Sequence, residues 1–306
     1  TGSQNFILME GMSQSLAGRA AVLSLLPFSY AERIGLGEKT RGLTDWLKEL
    51  TLQKESDDGL SLADTILRGS YPEIASHKTV DRRLWFSSYI ATYLERDVRN
   101  LAQIGDFSQF ERFLKLCATR TGQILNLSDL ARDVGTSVPT IKRWISILET
   151  GYQIFLMYPY YQNIGKRLVK SPKMYFNDTG LASYLLGLHD RESLLHSPNF
   201  GNLFETLIIT DVWKRALHSG ESTALYYLRT RDGLEIDLVI ESRQKLHLFE
   251  IKSAMTLWPK HASSLLRMKN ELPNSVAAGA VISMASQNFH LVKGIQNYNW
   301  KNILAL

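Results

Sequence analysis

A single cysteine, Cys117, stands in 306 residues. That excludes a disulfide framework and any zinc cluster built on thiolates. It fits a reducing compartment, so a cytoplasmic protein is expected. Cys117 itself reads as a small buried apolar residue of a helix. No apolar run reaches the ~18 residues needed to cross a bilayer, so no membrane partner is expected. No signal-peptide pattern opens the chain. Internal repeats and low-complexity tracts are absent. The seven histidines (His77, His189, His196, His218, His247, His261 and His290) show no ligand spacing such as H-E-x-x-H. A phosphate loop of the form G-x-x-x-x-G-K-[ST] is missing too. Gly35-Leu36-Gly37-Glu38-Lys39-Thr40 is a decoy, because Glu38 separates the last glycine from Lys39 and no apolar strand precedes it. No acidic strand end for a nucleotide-bound Mg²⁺ accompanies it, so this chain is not expected to hydrolyse ATP.

The composition is otherwise that of a globular protein, with 44% hydrophobic residues. The length suggests two or three domains. The net charge is +5, and its location says more than its size. Residues 111–175 hold ten bases: Arg112, Lys115, Arg120, Arg132, Lys142, Arg143, Lys166, Arg167, Lys170 and Lys173. The acids there are Glu111, Asp129, Asp133 and Glu149. Ten against four leaves +6, more than the excess of the whole chain. A localised basic segment favours a polyanion partner, DNA among them.

Two apolar runs near the C-terminus carry charge at defined places. Leu234 to Glu241 contains Asp237, and Leu246 to Ala254 contains Glu250 and Lys252. Val, Ile and Leu dominate both, so both read as buried strands. Glu250 and Lys252 are two apart and share a face, with Ile251 pointing away. A buried carboxylate costs several kcal/mol unless it is paired or bound to a metal. Three ionisable groups on neighbouring strands therefore suggest a site for a hard cation such as Mg²⁺, with the lysine beside it.

A second pattern lies at residues 127–149. Leu127, Leu130, Ala131 and Val134 form one helical face, and Gly135 breaks that helix. Ser137 reads as an N-cap with Pro139 in the first turn. Ile141, Trp144, Ile145 and Leu148 then make a second buried stripe, leaving Thr140, Lys142, Arg143 and Ser146 to solvent. This is a helix-turn-helix pattern. A strand from Ile154, a turn with Lys166, Arg167 and Lys170, and a strand near Lys173 to Phe176 would add a wing. Ser137, Thr140, Lys142 and Arg143 are then placed to meet a DNA groove, and Lys166, Arg167 and Lys170 its phosphates. Elsewhere, residues 35–58 are rich in glycine and charge and read as an exposed connector. From Leu60 the pattern turns helical, with Leu84, Ser88, Ala91 and Leu94 on one stripe and a turn at Gly69-Ser70-Tyr71-Pro72. Tyr226, Tyr227 and Arg229 lie on the strand before Asp237, and Trp258 and Lys260 follow Lys252 at the mouth of the site.

Asp237 with Glu250-Ile251-Lys252 resembles the PD-(D/E)xK nuclease-like superfamily. The resemblance implies a further acid on a preceding helix, and Glu205 in Phe200-Gly201-Asn202-Leu203-Phe204-Glu205 fits that role. It implies Mg²⁺ held by Asp237, Glu250 and the Ile251 carbonyl, with Lys252 positioning a water. The usual proline before the aspartate is replaced by Ile236. Thr1-Gly2-Ser3-Gln4, Ser15 to Arg19, Leu25 to Ser29, Gly69 to Glu73 and Tyr93 to Val98 together resemble a family of prokaryotic AAA+-type ATPases. In that family an ATPase core is followed by a helical lid, a winged helix and a nuclease-like C-terminal domain. The resemblance implies that the first half of the ATPase lies upstream of Thr1, and that ATP binds only with it. It sets Ser3 near a nucleotide sensor and Arg19 as an arginine finger or sensor.

The expected fold is thus mixed α+β and multidomain. Residues 1–58 are a fragment of an AAA+ core with a connector and 59–106 a helical lid. Residues 107–194 are a winged helix-turn-helix and 195–306 a PD-(D/E)xK nuclease-like domain. One reading is a DNA-associated module with Mg²⁺-dependent phosphodiester cleavage. The other is an inactive module of a signalling ATPase, used for protein contact or homo-oligomerisation.

Overall fold

A computed structural model of the chain describes residues 24–39, 42–50, 59–92, 107–160, 171–221, 225–230 and 232–306. The fold is mixed α+β, with helices and two sheets. The stretch expected as an exposed connector is in part a core helix, α1 (Leu43–Glu49). Leu43, Trp46, Leu47 and Leu50 recur at helical spacing and are all buried. The Trp46 ring lies 5.8 Å from that of Phe249, and its Nε1–H donates to the Ile303 carbonyl at 2.9 Å. Glycine and charge at the ends of the segment masked that stripe.

Helix α2 (Leu62–Arg68) starts at Ser61, whose hydroxyl accepts from Asp64 N–H, and stops at Gly69 with φ +66°. The turn expected at Gly69 to Pro72 is present. Of the expected stripe, Leu84 is 69% exposed and Ser88 and Ala91 are exposed, with Phe86 turned inward instead, and Leu94 lies outside the described residues. A β-carbon on Gly180 would meet the Gly69 nitrogen at 2.8 Å and Phe86 Cζ at 2.7 Å. Only glycine permits that approach to the end of α2.

Helix α3 (Phe107–Thr119) precedes the helix pair α4 (Leu127–Val134) and α5 (Val138–Thr150). Asn126 caps α4, Gly135 ends it in the left-handed region, and Ser137 caps α5 through Thr140 N–H. Leu130, Ala131 and Val134 are buried with Ile141, Trp144, Ile145 and Leu148. Phe110 and Phe113 of α3 each close on the Trp144 ring at 5.2 Å. Strands β1 (Gln123–Ile124), β2 (Ile154–Met157) and β3 (Lys173–Phe176) form an antiparallel sheet in the order β1-β3-β2. Lys173 was counted in the basic segment and expected to open the second strand of a wing. Instead β3 is the central strand with all four residues buried, and Lys173 is 4% exposed.

Helix α6 (Thr179–Leu185) leads to the long helix α7 (Phe200–His218) and a six-stranded sheet. Its strands are β4 (Leu225–Arg229), β5 (Glu235–Ser242), β6 (Lys245–Lys252), β7 (Val276–Ser283), β8 (Phe289–Val292) and β9 (Ile295–Asn299). They lie in the order β4-β5-β6-β7-β9-β8, with β6, β7 and β9 parallel and the remaining pairs antiparallel. Helix α8 (Ser263–Glu271) joins β6 to β7, and α9 (Trp300–Leu304) ends the chain. Leu238, Ile240, Phe249 and Ile251 share the large core with α7, while Val239, Leu248 and Val281 pack with Leu265 and Met268 of α8. Burying each such side chain contributes about 1.5–3 kcal/mol. The β5–β6 ladder runs from Ser242–Lys245 to Leu238–Phe249 and stops one step short of Asp237 and Glu250.

If α1 is part of the core, Trp46→Ala loses about 3–5 kcal/mol of unfolding free energy in a denaturant titration. A loss below about 1 kcal/mol would return residues 42–50 to the status of a surface connector.

Candidate functional site

The site begins where the β5–β6 ladder ends. Continuing its register puts Asp237 opposite Glu250, so both project from one face, that of Val239 and Leu248. Freed from the ladder, Ile251 N–H donates to Asp237 Oδ2 at 2.7 Å. Lys252 Nζ donates to Glu250 Oε2 at 2.6 Å and to Asp237 Oδ2 at 3.3 Å. Both carboxylates therefore share one ammonium. Asp237 is 8% and Glu250 5% exposed. Neither would be tolerated there as a lone charge.

Glu205 reaches the same place from the second turn of α7. Its Oε1 accepts from the Tyr175 hydroxyl at 2.6 Å and from Lys173 Nζ at 3.2 Å. Lys173 Nζ is also 2.9 Å from Glu235 Oε1 and 4.0 Å from Asp237 Oδ1. It lies 5.6 Å from the centre of the Tyr227 ring. Asp237 thus stands between two ammoniums, one on each carboxylate oxygen. Lys173, Tyr175 and Glu235 are site residues that the sequence reading missed. The available signal was a lysine opening the apolar strand Lys173-Met174-Tyr175-Phe176, where a buried cation needs a partner.

Lys173, Glu205, Glu235, Asp237, Glu250 and Lys252 line a cavity of about 770 Å³. Arg229, Lys260 and His261 add cationic or ionisable side chains to its wall, and β1 lines another side through Gly122, Gln123 and Ile124. Asn202 of α7 and Ser263 and Ser264 of α8 also line it, so the N-terminal turns of two helices border the cavity. Helix N-termini favour anions. Burial, then the charge of Asp237, pushes the Glu205 carboxyl up to about 7. The same two causes push Glu250 up to about 8. Burial pulls Lys252 down, but Asp237 and Glu250 outweigh it and hold the ammonium above its usual range. Lys173 behaves alike, with Glu205, Asp237 and Glu235 outweighing its burial. Carboxylate oxygens with a strand carbonyl suit a hard divalent ion. Among the described residues no three His, Cys, Asp or Glu side chains are already drawn into a metal cluster.

The helix-turn-helix residues do not line this cavity. Ser137, Lys142 and Arg143 are exposed and Thr140 is half-buried, with its hydroxyl 2.9 Å from that of Ser137. Much of the expected basic excess is spent internally. Lys115 pairs with Glu111, Arg120 with Asp133, Arg132 with Asp129 and Asp133, and Lys173 with the site carboxylates. Lys142 and Arg143 make no ion pair among the described residues. Ser3, Arg19, Lys166, Arg167 and Lys170 lie outside the described residues. Trp258 is 59% exposed.

Residues 60–192 match a family model described as a domain of unknown function (DUF8612), and residues 200–303 match a second domain of unknown function (DUF4143). Two uncharacterized mycobacterial proteins are similar to the chain: Mb2031c of Mycobacterium bovis and Rv2008c of Mycobacterium tuberculosis. Each is 32% identical over 225 residues, covering 73% of this chain and 50% of the relative. The chain therefore spans about half the length of the curated relatives it matches. No solved structure matches it. The two matched regions meet between residues 192 and 200, and the cavity draws side chains from both: Lys173 from the first, Glu205, Asp237, Glu250 and Lys252 from the second.

Proposed function

We propose that the cavity is a divalent-cation-dependent phosphodiester hydrolysis site, carried by a chain that also contacts DNA through α5. The observation that carries this reading is the meeting of Asp237, Glu250 and Lys252 on one face, on the floor of a cavity walled by Arg229 and Lys260. Asp237, Glu250 and the Ile251 carbonyl would hold the ion, and Glu205 would complete the acidic set. A bound Mg²⁺ neutralises phosphate charge and lowers the pKa of a coordinated water. The protein's own groups do the rest. Lys252 aligns the attacking water and lies against the negative charge that develops on the phosphate. Arg229, Lys260 and the N-terminal turns of α7 and α8 hold the backbone of the nucleic acid. Water oxygen bonds to phosphorus and gives up a proton to solvent, the bond to one sugar oxygen breaks, and that oxygen takes a proton from solvent.

The order of elements supports placing this chain in a larger AAA+-type protein, with α3–α5 and the three-stranded sheet as a winged helix and residues 195–306 as a nuclease-like domain. DUF4143 is commonly found at the C-terminus of AAA-ATPase-like proteins. The mycobacterial relatives leave about half their length for such a core. ATP would bind only with that part.

Incubation with plasmid DNA and Mg²⁺ or Mn²⁺ gives nicked or linear product, and Asp237→Ala lowers the rate more than about 100-fold, beyond what partners of a metal ligand alone achieve. Equal rates in the two proteins, or no cleavage and no ion uptake, would leave the protein-contact module as the surviving reading. On a DNA duplex, Lys142→Ala with Arg143→Ala weakens binding and makes the slope of log affinity against log salt shallower by about 2. An unchanged slope would remove α5 from the DNA interface.

The carboxyls give a pH test. Glu205 and Glu250 are raised to about 7 and about 8 in the folded chain, against 4.5 for an ordinary glutamate. The stability they contribute is complete below pH 4.5 and is lost as pH rises through 7 and 8. With EDTA present, the urea midpoint falls between pH 5 and 8.5, and Mg²⁺ suppresses the fall. A midpoint that stays flat in EDTA contradicts the buried-carboxyl account.

A further inference from the structure

Lys173 does not belong to the strands or the helix that carry the proposed acids. It comes from β3, in the first matched region, and faces Asp237 Oδ1 where Lys252 faces Oδ2. Its ammonium has three carboxylate oxygens around it, at 2.9 Å (Glu235), 3.2 Å (Glu205) and 4.0 Å (Asp237). A hard divalent ion collects an oxygen set of this kind at about 2.0–2.6 Å. Two-metal phosphodiester enzymes place their ions about 3.5–4 Å apart, bridged by a shared carboxylate. Here Asp237 is the shared carboxylate, with Oδ1 toward Lys173 and Oδ2 toward Lys252.

We infer that Lys173 is a resident cation of the cavity: its ammonium holds the position a second divalent ion would take, so that the cavity accepts one ion only. The charge count agrees. Glu205, Glu235, Asp237 and Glu250 face Lys173 and Lys252, so four carboxylates meet two ammoniums. Once a bound ion has displaced the protons from Glu205 and Glu250, the excess is two negative charges, which one divalent ion neutralises. Without Lys173 the excess is three, and Glu205, Glu235 and Asp237 surround an open position. The ammonium is also fixed in place. Met174, Tyr175 and Phe176 are each 0% exposed, so β3 cannot withdraw Lys173 without opening the core. The metal-binding second position is thereby closed by a residue of the neighbouring region, not of the strands that bind the first ion. This inference rests on the cation-site reading given above.

Counting bound ions tests it. The 306-residue chain is titrated with Mn²⁺ by calorimetry and by the loss of the free-ion electron paramagnetic signal. Wild type takes up one ion, Lys173→Gln two, and Lys173→Arg one. Glutamine is near the length of lysine and still donates hydrogen bonds, so circular dichroism and the melting curve are expected to show a folded variant. The double change Lys173→Gln, Glu235→Gln returns the count to one. Two ions on wild type overturn the inference without any variant. One ion on both wild type and Lys173→Gln overturns it while leaving the cation site standing. No ion on either overturns both the inference and the cation-site reading.

Discussion

Lys214 reaches the Ser70 hydroxyl at 2.6 Å and the Phe28 carbonyl at 3.3 Å from the C-terminal part of α7, a helix buried along nearly its whole length. Three residues earlier, Asp211 accepts from Tyr30 N–H at 2.5 Å. One residue later, Arg215 donates to the Leu304 carbonyl at 3.2 Å and lies 5.9 Å from the Trp46 ring. His218 accepts from Leu26 N–H and faces Glu32 at 3.2 Å. At its other end, Glu205 meets Tyr175 and Lys173. A helix apolar on one side would ask for one partner surface. This one carries charge inward on several sides, and a buried charge must be answered or the fold loses several kcal/mol. Each answer comes from a different part of the chain, so α7 fixes the first sheet, α1, α2, the segment before Arg33 and the six-stranded sheet relative to one another.

The cavity follows from that constraint. Glu205 is where it is because α7 is held at both ends. Lys173 is where it is because β3 is the middle strand of a sheet packed against α7. Asp237 and Glu250 supply the remaining charge from a sheet whose ladder stops one residue pair early. Had the ladder run on, regular backbone pairing would hold the Ile251 N–H. With the ladder interrupted, that N–H serves the Asp237 carboxylate instead. The break in backbone pairing and the charge cluster are one feature.

Asp237, Glu250 and Lys252 were legible in the sequence because charge inside an apolar strand, at period two, has few explanations. The two helices around Gly135 were legible for a similar local reason: cap, breaker and stripe all lie within 23 residues. Lys173 was not, because its partners are 32 to 64 residues away, and the one local signal, a lysine opening an apolar strand, does not say which groups answer it. The same cause made the charge of residues 111–175 look more available than it is. Counting bases cannot reveal that Arg120 faces Asp133 or that Lys173 points into a core. Trp46 was lost for the converse reason: a short amphipathic stripe sits between glycine-rich and charged flanks, and composition outweighed periodicity.

A lysine placed among three carboxylates would be a plain structural ion pair if its partners had no other work. What argues against that here is the geometry of Asp237. A purely structural pairing needs one ammonium for one carboxylate, and burying further charge only adds desolvation. Asp237 instead receives two ammoniums and a backbone N–H, while burial and the Asp237 charge push the neighbouring Glu205 and Glu250 carboxyls above their ordinary range. An apolar core of the same volume would be more stable. A fold that nonetheless keeps four carboxylates beside an open, positively rimmed cavity has given up stability at one place, and that place is where a cation and a phosphate together would restore the balance.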